Sequence, residues 1–385
     1  MGRTRYEYSF IEIQRPALEL PEVSCVTTFG TPRWYDPRRR SRNLELCSYL
    51  EITRRLPRVS ELHWATAEAG LFFLLRREIR DRFVHTAAAA DAHDPCRWLP
   101  ASVKTMAVTI KAPNWSDHQF DHHRRLPNLS RPYGHDEVSA AFRKMSVGLK
   151  KFRFKGIADH ALFWPSPSEK HIEEPHWPNL THLRVDLSYQ SPSGKWYFKC
   201  QDADDPRNHP WSDVPVSGDA LEFRPPGYGT EQDKEEALEY LASWLDHVPS
   251  FRYRDGRGVF QPTFRTWPND KVMIPLLESF ARAIGQMPSL RSAALLFDDG
   301  DLDSYTFVSY ASPGYETTAT RNAQLRDQKL FKTVPRLVIS SCKWRMSKSL
   351  KGLFREVGSK CHNQATVVRY LPVSLDYSDD DDDSD

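Results

Sequence analysis

The sequence predicts an α/β fold, an irregular leucine-rich-repeat-like solenoid in which strands and helices alternate around long insertions. A proline-marked pattern of alternating apolar and polar residues occurs three times, at 56–64, 176–187 and 287–297. Such alternation is typical of a strand with one buried face. Helical patterns lie between the copies, and helix–strand units that bury their apolar faces against one another are typical of solenoids. The spacing of the copies is not constant, so a doubly wound α/β sheet, which also alternates strands and helices, is the alternative.

Local patterns predict the individual elements in chain order. Apolar residues at helical spacing predict helices within 43–56, 66–84, 136–147, 231–248, 271–286 and 343–357, with Pro275 in the first turn of the fifth. Strand patterns lie at 23–29, 58–64, 99–110, 149–156, 182–187, 287–297, 334–341 and 365–373. The first of these strands is expected to cap the array. A turn followed by aromatic residues at 192–198 predicts a hairpin-like extension.

The chain divides into three segments. Residues 44–373 are expected to form a single irregular leucine-rich-repeat-like domain, preceded by an N-terminal cap or leader at 1–43. Residues 201–230 are rich in Asp, Pro and Gly, which predicts a long surface insertion. The last ten residues, DYSDDDDDSD, carry seven carboxylates and no cation, so 374–385 is expected to be a disordered acidic tail. The formal net charge of +2 leaves +9 on the rest of the chain, so the tail could compete with acidic partners.

The composition is that of an intracellular globular protein. The chain has no run of about 18 apolar residues and no apolar stretch of signal-peptide type near its start. We therefore expect no membrane association and a cytoplasmic or nuclear location. The six cysteines lie far apart without a CxxC pair, which indicates reduced thiols rather than disulfides or a cysteine zinc site.

Four segments carry a resemblance to a known family: LPRVSELHW (56–64), LFWP (162–165), EEPHWPNLTHLRVDLSYQSPSGKWYF (173–198) and FRTWPNDKVMIPLLESFARAIGQMPSLRSAAL (264–295). They resemble the C-terminal region of a large family of filamentous-fungal F-box-type proteins with leucine-rich-repeat-like bodies. The resemblance implies that the repeat body holds a substrate while an N-terminal F-box docks to a Skp-type adaptor of a cullin ubiquitin ligase. The LP-x-E-I opening of an F-box is not evident in residues 1–43, so no adaptor-docking residue is carried over.

The sequence contains no recognisable catalytic or nucleotide-binding motif. It has no GxSxG, GxGxxG or GxxxxGK[ST] segment, so no enzyme activity and no cofactor are predicted, and a hydrolase or metal enzyme is a minor alternative. His118 and His122 have the spacing of a metal-binding pair, but the complete ligand set of a zinc site is missing. Basic clusters with aromatic residues, such as KKFRFK at 150–155, leave nucleic-acid binding as an alternative, although strand geometry makes those cations a solvated face.

The sequence therefore predicts a protein-recognition module without chemistry of its own, as in the substrate-receptor part of an F-box-type protein. A free-standing interaction protein unrelated to ubiquitin ligases is the alternative. The partner is expected to be a protein whose identity the sequence does not give. Exposed aromatic residues are strong candidates for partner contacts, and the insertion offers Trp211 and Tyr228.

Overall fold

A computed structural model describes the following residues: 10–11, 13, 20–31, 43–68, 73–91, 99–111, 126–130, 134–169, 174–200, 230–232, 235–236, 267–298, 305–317, 333–340 and 344–371. Its helices are α1 (Leu46–Arg54), α2 (Phe73–Asp91), α3 (Glu137–Ser146), α4 (Asp270–Ile284) and α5 (Lys348–His362). Its strands are β1 (Phe10–Ile11), β2 (Thr28–Gly30), β3 (Asn43–Leu44), β4 (Glu61–Ala67), β5 (Thr105–Lys111), β6 (Lys151–Gly156), β7 (His182–Ser188), β8 (Phe198–Lys199), β9 (Trp267–Pro268), β10 (Ser292–Asp298), β11 (Tyr305–Ala311), β12 (Arg336–Ser340) and β13 (Val367–Leu371). A single 3₁₀ turn, His160–Leu162, follows β6.

One open, mostly parallel sheet of nine strands dominates the fold, which confirms the predicted α/β class. Its strand order, β2-β4-β5-β6-β7-β10-β11-β12-β13, follows the chain. Only β11 runs antiparallel to its neighbours. A doubly wound sheet has a point at which the strand order reverses, and this order has none. Two short pairs, β1 with β3 and β8 with β9, lie outside the main sheet.

The recurring proline pattern marks a fixed distance to the strand that follows. Pro57, Pro178 and Pro288 each lie four residues before the first residue of β4, β7 and β10. Two residues before each of the five strands β4, β5, β6, β7 and β10, an apolar side chain is buried: Val59, Val103, Leu149, Leu180 and Leu290. The residue just before a strand donates its backbone N–H to the matching carbonyl of the preceding unit, as Lys150 does to Lys104 at 2.8 Å. The pattern therefore fixes the register from one strand to the next.

Along β4, β5, β6, β7 and β10 the core lies on one face of the sheet, whereas β11 and β12 have buried residues on both faces. Residues paired across β4, β5, β6, β7 and β10 share this face and are buried, among them Leu62, Trp64, Met106, Val108, Phe152, Phe154, Leu183, Val185, Ala293 and Leu295. The helices pack against the same face, as shown by Phe142 of α3, whose ring centroid lies 6.4 Å from that of Trp64 and 5.4 Å from that of Phe154. Burying one such side chain stabilises a fold by about 1.5–3 kcal/mol.

Several predicted elements differ from the structure in extent. The helix expected at 66–84 is found as α2 (Phe73–Asp91), and Thr66 and Ala67 of the expected range belong to strand β4. Pro275 lies in the second turn of α4 rather than the first, since the helix already begins at Asp270 after its N-cap Asn269. Strand β11 was not predicted. The predicted capping strand is found as β2, paired with β4 at the sheet edge.

Other predictions fall outside the described residues. They include the insertion 201–230 except its last residue, most of the helix at 231–248, and the acidic tail. Across the ranges that are described, no helix is long and apolar enough to cross a membrane.

Candidate binding face

The face of the sheet opposite the core carries a cluster of cations on two neighbouring strands. On β6 the alternation that buries Phe152 and Phe154 directs Lys151, Arg153 and Lys155 to this opposite face. The parallel register places Arg153 beside Arg184 of β7, and the side chains of these two arginines are 45% and 44% exposed. We call the group Lys151, Arg153, Lys155 and Arg184 the basic face.

A buried carboxylate lies beneath the two arginines. The side chain of Asp186 is only 2% exposed. Arg153 donates from Nη2 to Asp186 Oδ2 at 3.0 Å, and Arg184 donates from Nε to Asp186 Oδ1 at 3.0 Å. Within the described residues neither guanidinium has another hydrogen-bonding partner, so each keeps donor groups directed away from Asp186. Asp186 thus orients both arginines while their remaining donors stay accessible.

A loop after β11 borders the basic face at the start of β7. The hydroxyl of Tyr315 lies 3.1 Å from Nε2 of His182, and the two rings meet edge to face with centroids 5.6 Å apart. Arg336 of β12 is buried and donates to the backbone carbonyl of Tyr315. Partial burial, together with the charges of Lys151 and Arg291, lowers the pKa of His182. A neutral His182 therefore sits between cations and the loop.

A further arginine, Arg369, lies at the edge of the sheet and is connected to Arg184 by successive cross-strand residue pairs. Paired residues run from Arg184 through Ala294, Ser309 and Val338 to Arg369 of β13. Residues directly opposite each other on neighbouring strands share a face, so Arg369 lies on the face of the basic cluster. Its side chain is exposed.

A second charged cluster lies inside the fold, where β4 ends. Arg80 of α2 donates to Glu68 and to Asp136, each at 2.6 Å, and Arg76 also donates to Glu68. Arg76, Arg80 and Asp136 are all buried. Although burial opposes it, the two arginines hold the pKa of Glu68 below its usual value. These paired charges connect β4 and α2 to α3.

The same cluster includes Asp159, which joins β6 to α3. Asp136 caps α3 by accepting from the backbone N–H of Ser139 at 3.0 Å, and its own N–H donates to Asp159 at 2.9 Å. Asp159 also accepts from the N–H of Ala161 at 2.9 Å. Burial, and then the nearby charge of Asp136, raise the pKa of Asp159. These enclosed groups pair mainly with one another, although Arg80 Nε is buried without a hydrogen-bonding partner in the part of the chain that the structure describes. We interpret this cluster as a structural junction between successive strands.

The structure brings together few of the residues that the sequence singled out. Trp211 and Tyr228, the predicted partner contacts, lie outside the described residues, as do His118 and His122. In the part of the chain that is described, no group of three His, Cys, Asp or Glu side chains could hold a metal ion. The roles of Arg184 and Asp186 were missed, although their positions in a period-two strand placed them on the polar face.

Comparisons with known proteins give no relative. No protein-family model matches the chain, and no curated protein or solved structure shows significant similarity to it.

Proposed function

We propose that this chain is a protein-recognition module that binds an acidic segment of a partner protein on the basic face. The observation that carries the proposal is the pair of exposed arginines, Arg153 and Arg184, anchored on the buried Asp186. Arginine forks bind carboxylates in a planar, two-point manner, and such charge-assisted bonds are about twice as strong as neutral ones. Two guanidiniums against one buried carboxylate leave this pair with a net positive charge.

The architecture supports a leucine-rich-repeat-like solenoid as the finer description of the fold. Strands in chain order and helices on a single face are the arrangement that stacked strand–helix units produce. On β6 and β7 the sheet face without helices carries exposed arginine side chains, so this part of the face is available for a partner. An assignment as the substrate-receptor part of an F-box-type protein, with a Skp-type adaptor as a second partner, remains part of the proposal. The alternative is a free-standing recognition protein.

The charge pattern favours a protein over a nucleic acid. Single-stranded nucleic acids are usually held by aromatic platforms beside a basic groove. In the described residues the aromatic side chain bordering the basic face, Tyr315, has its hydroxyl and ring engaged by His182. Two arginines fixed side by side suit a pair of carboxylates on a peptide.

The test is photo-crosslinking from the face itself. Thr105 of β5 is paired with Lys151, so a photoreactive amino acid at Thr105 reports on a partner at the edge of the basic face. The binding variant is a neutral triple, Arg153→Gln, Arg184→Gln and Asp186→Asn. It removes both arginine charges without leaving the buried carboxylate unpaired.

The matched control removes two exposed cations from the surface of α5, Lys348→Gln and Arg355→Gln. We expect a protein crosslinked in cells to be lost in the neutral triple and retained in this helix control. Equal crosslinking in both variants would show that the partner does not bind through Arg153 and Arg184. A nuclease-sensitive product would replace the protein partner by a nucleic acid, and co-purification of a Skp-type adaptor and cullin would support the ligase connection.

A further inference from the structure

We infer that one water molecule is bound inside the protein, in a cavity beside the carboxyl end of β4, where it links Thr66 to Arg80. The site lies in the charged cluster that connects β4 and α2 to α3. It is a different part of the molecule from the basic face, so the inference does not depend on the proposed function. Its support comes from the size of the cavity, the polar atoms that line it and the balance of charge around it.

The cavity has room for one water molecule. It gives the centre of a water molecule about 20 Å³ in which to move, and roughly 10–15 Å³ of such space is enough to hold one water. Part of its wall is apolar and is formed by Leu46, Ala67, Ile79 and Ile110. A wholly apolar cavity of this kind would stay dry, so the polar residues of the wall decide whether water binds.

Two buried polar atoms in the cavity wall need a hydrogen-bonding partner. Thr66 and Arg80 are only 7% and 6% exposed, and both line the cavity. Among the described residues, Thr66 Oγ1 and Arg80 Nε have no hydrogen-bonding partner. Buried polar groups of native proteins are nearly always hydrogen-bonded, either to protein atoms or to ordered water. A water in the cavity accepts from Arg80 Nε and donates to Thr66 Oγ1, so it satisfies both atoms.

Both residues are held in position by the elements around them. Thr66 is paired with Ile110 of β5 and lies on the core face of the sheet, where the alternation of β4 directs its side chain. The terminal nitrogens of Arg80 donate to Glu68 and Asp136, each at 2.6 Å. The guanidinium therefore cannot turn to give Nε another partner without breaking an ion pair.

The balance of charge favours water over an anion. The cluster holds two cations, Arg76 and Arg80. Their partners Glu68 and Asp136 supply two negative charges at direct hydrogen-bonding distance. A chloride bound here would add an uncompensated buried charge, which is costly, whereas water adds none. Glu68 also lines the cavity, and its carboxylate can accept a further bond, which gives the water the usual three partners.

The experiment compares two substitutions of threonine by valine in the full chain. Thr66→Val removes the hydroxyl that contacts the water. Thr53→Val is the matched control, because the buried hydroxyl of Thr53 in α1 also lacks a hydrogen-bonding partner in the described ranges but does not line the cavity. Replacing an unpaired buried hydroxyl by a methyl group favours folding, whereas replacing a hydrogen-bonded one opposes it. We expect Thr66→Val to lower the equilibrium constant for folding about fivefold in urea unfolding, and Thr53→Val to leave it unchanged or raise it.

A crystal structure at a resolution that shows ordered water gives the direct test. We expect density for one water within hydrogen-bonding distance of Thr66 Oγ1 and Arg80 Nε in the unmodified protein and in Thr66→Ser, which keeps the hydroxyl. In Thr66→Val this density should be lost or displaced. A dry cavity in the unmodified protein, or equal effects of the two valine substitutions on folding, would overturn the inference. Crystals grown with bromide in place of chloride identify an anion, since an anomalous signal in the cavity would show a halide where we place the water.

Discussion

Replacing Gly358 of α5 by alanine should destabilise the protein, which is the opposite of the usual effect of this substitution inside a helix. Replacing glycine by alanine inside a helix stabilises it by about 1 kcal/mol. A Cβ on Gly358, however, would lie within 3.0 Å of Gln364 O, Pro335 Cγ and Thr366 Oγ1. These are backbone, ring and hydrogen-bonded atoms, since Thr366 Oγ1 accepts from the Gly358 N–H at 3.0 Å. Overpacking of this kind costs about 1–3 kcal/mol, and the contacts at Gly358 include a rigid backbone carbonyl and a proline ring, which favours the upper part of that range. After the helix gain is subtracted, Gly358→Ala should be destabilising by up to about 2 kcal/mol.

Gly352 in the same helix supplies the matched control. A Cβ at Gly352 meets nothing within 4 Å, so Gly352→Ala should stabilise the protein by about 0.5–1 kcal/mol. The measurement is urea unfolding followed by tryptophan fluorescence, in which the two variants should move the midpoint in opposite directions at an unchanged slope. A midpoint for Gly358→Ala at or above that of the unmodified protein would refute the close packing of α5 on the segment before β13. The edge strand that carries Arg369 would then be wrongly placed.

Three further outcomes are expected. The raised pKa of Asp159 means that the folded state keeps a proton that the unfolded chain loses above about pH 4, so stability falls as pH rises from there towards the raised pKa. Asp159→Asn should flatten this dependence by up to about 1.4 kcal/mol per pH unit, and parallel unfolding curves between pH 5 and 8 would contradict it. Tyr315→Phe removes the hydroxyl that meets His182 and should cost about 1 kcal/mol in urea unfolding, whereas an unchanged midpoint would show that this contact does not hold the loop. Trp211→Ala should weaken capture of the crosslinked partner with nearly unchanged thermal stability, and the reverse pattern would assign Trp211 to the core.

The strands that could be predicted from the sequence are those with one buried face. In β7 the buried Leu183, Val185 and Leu187 alternate with the polar residues of the other face, and period two is the signal of such a strand. Strand β11 was missed because Phe307, Val308, Ser309, Tyr310 and Ala311 are all buried, so its residues do not alternate. A short apolar run of this kind has no periodicity that separates it from a loop or a buried helix.

The candidate site depends on information that no local pattern contains. Arg153 and Arg184 become neighbours only because β6 pairs in parallel with β7, with 25 residues between the two strands. A shift of one residue in that register would turn Arg184 towards the core. The sequence placed the cations of β6 on a solvated face, which the structure confirms, but it did not show that a buried carboxylate on the next strand orients one of them.

The buried Asp186 explains how a surface of flexible cations could become a selective one. A free arginine side chain loses up to about 2 kcal/mol of rotamer entropy when it binds. The contacts to Asp186 already restrict the two arginine side chains in the folded protein. On our proposal, binding of the partner therefore costs less side-chain entropy. Asp186 offsets one of the two guanidinium charges, so the pair of arginines keeps a net positive charge towards approaching carboxylates. A flexible acidic peptide would gain from the same cations, but it must itself become ordered on binding. A partner whose carboxylates are already positioned therefore gains more from Arg153 and Arg184 than a flexible peptide does, and this difference would give the face its specificity.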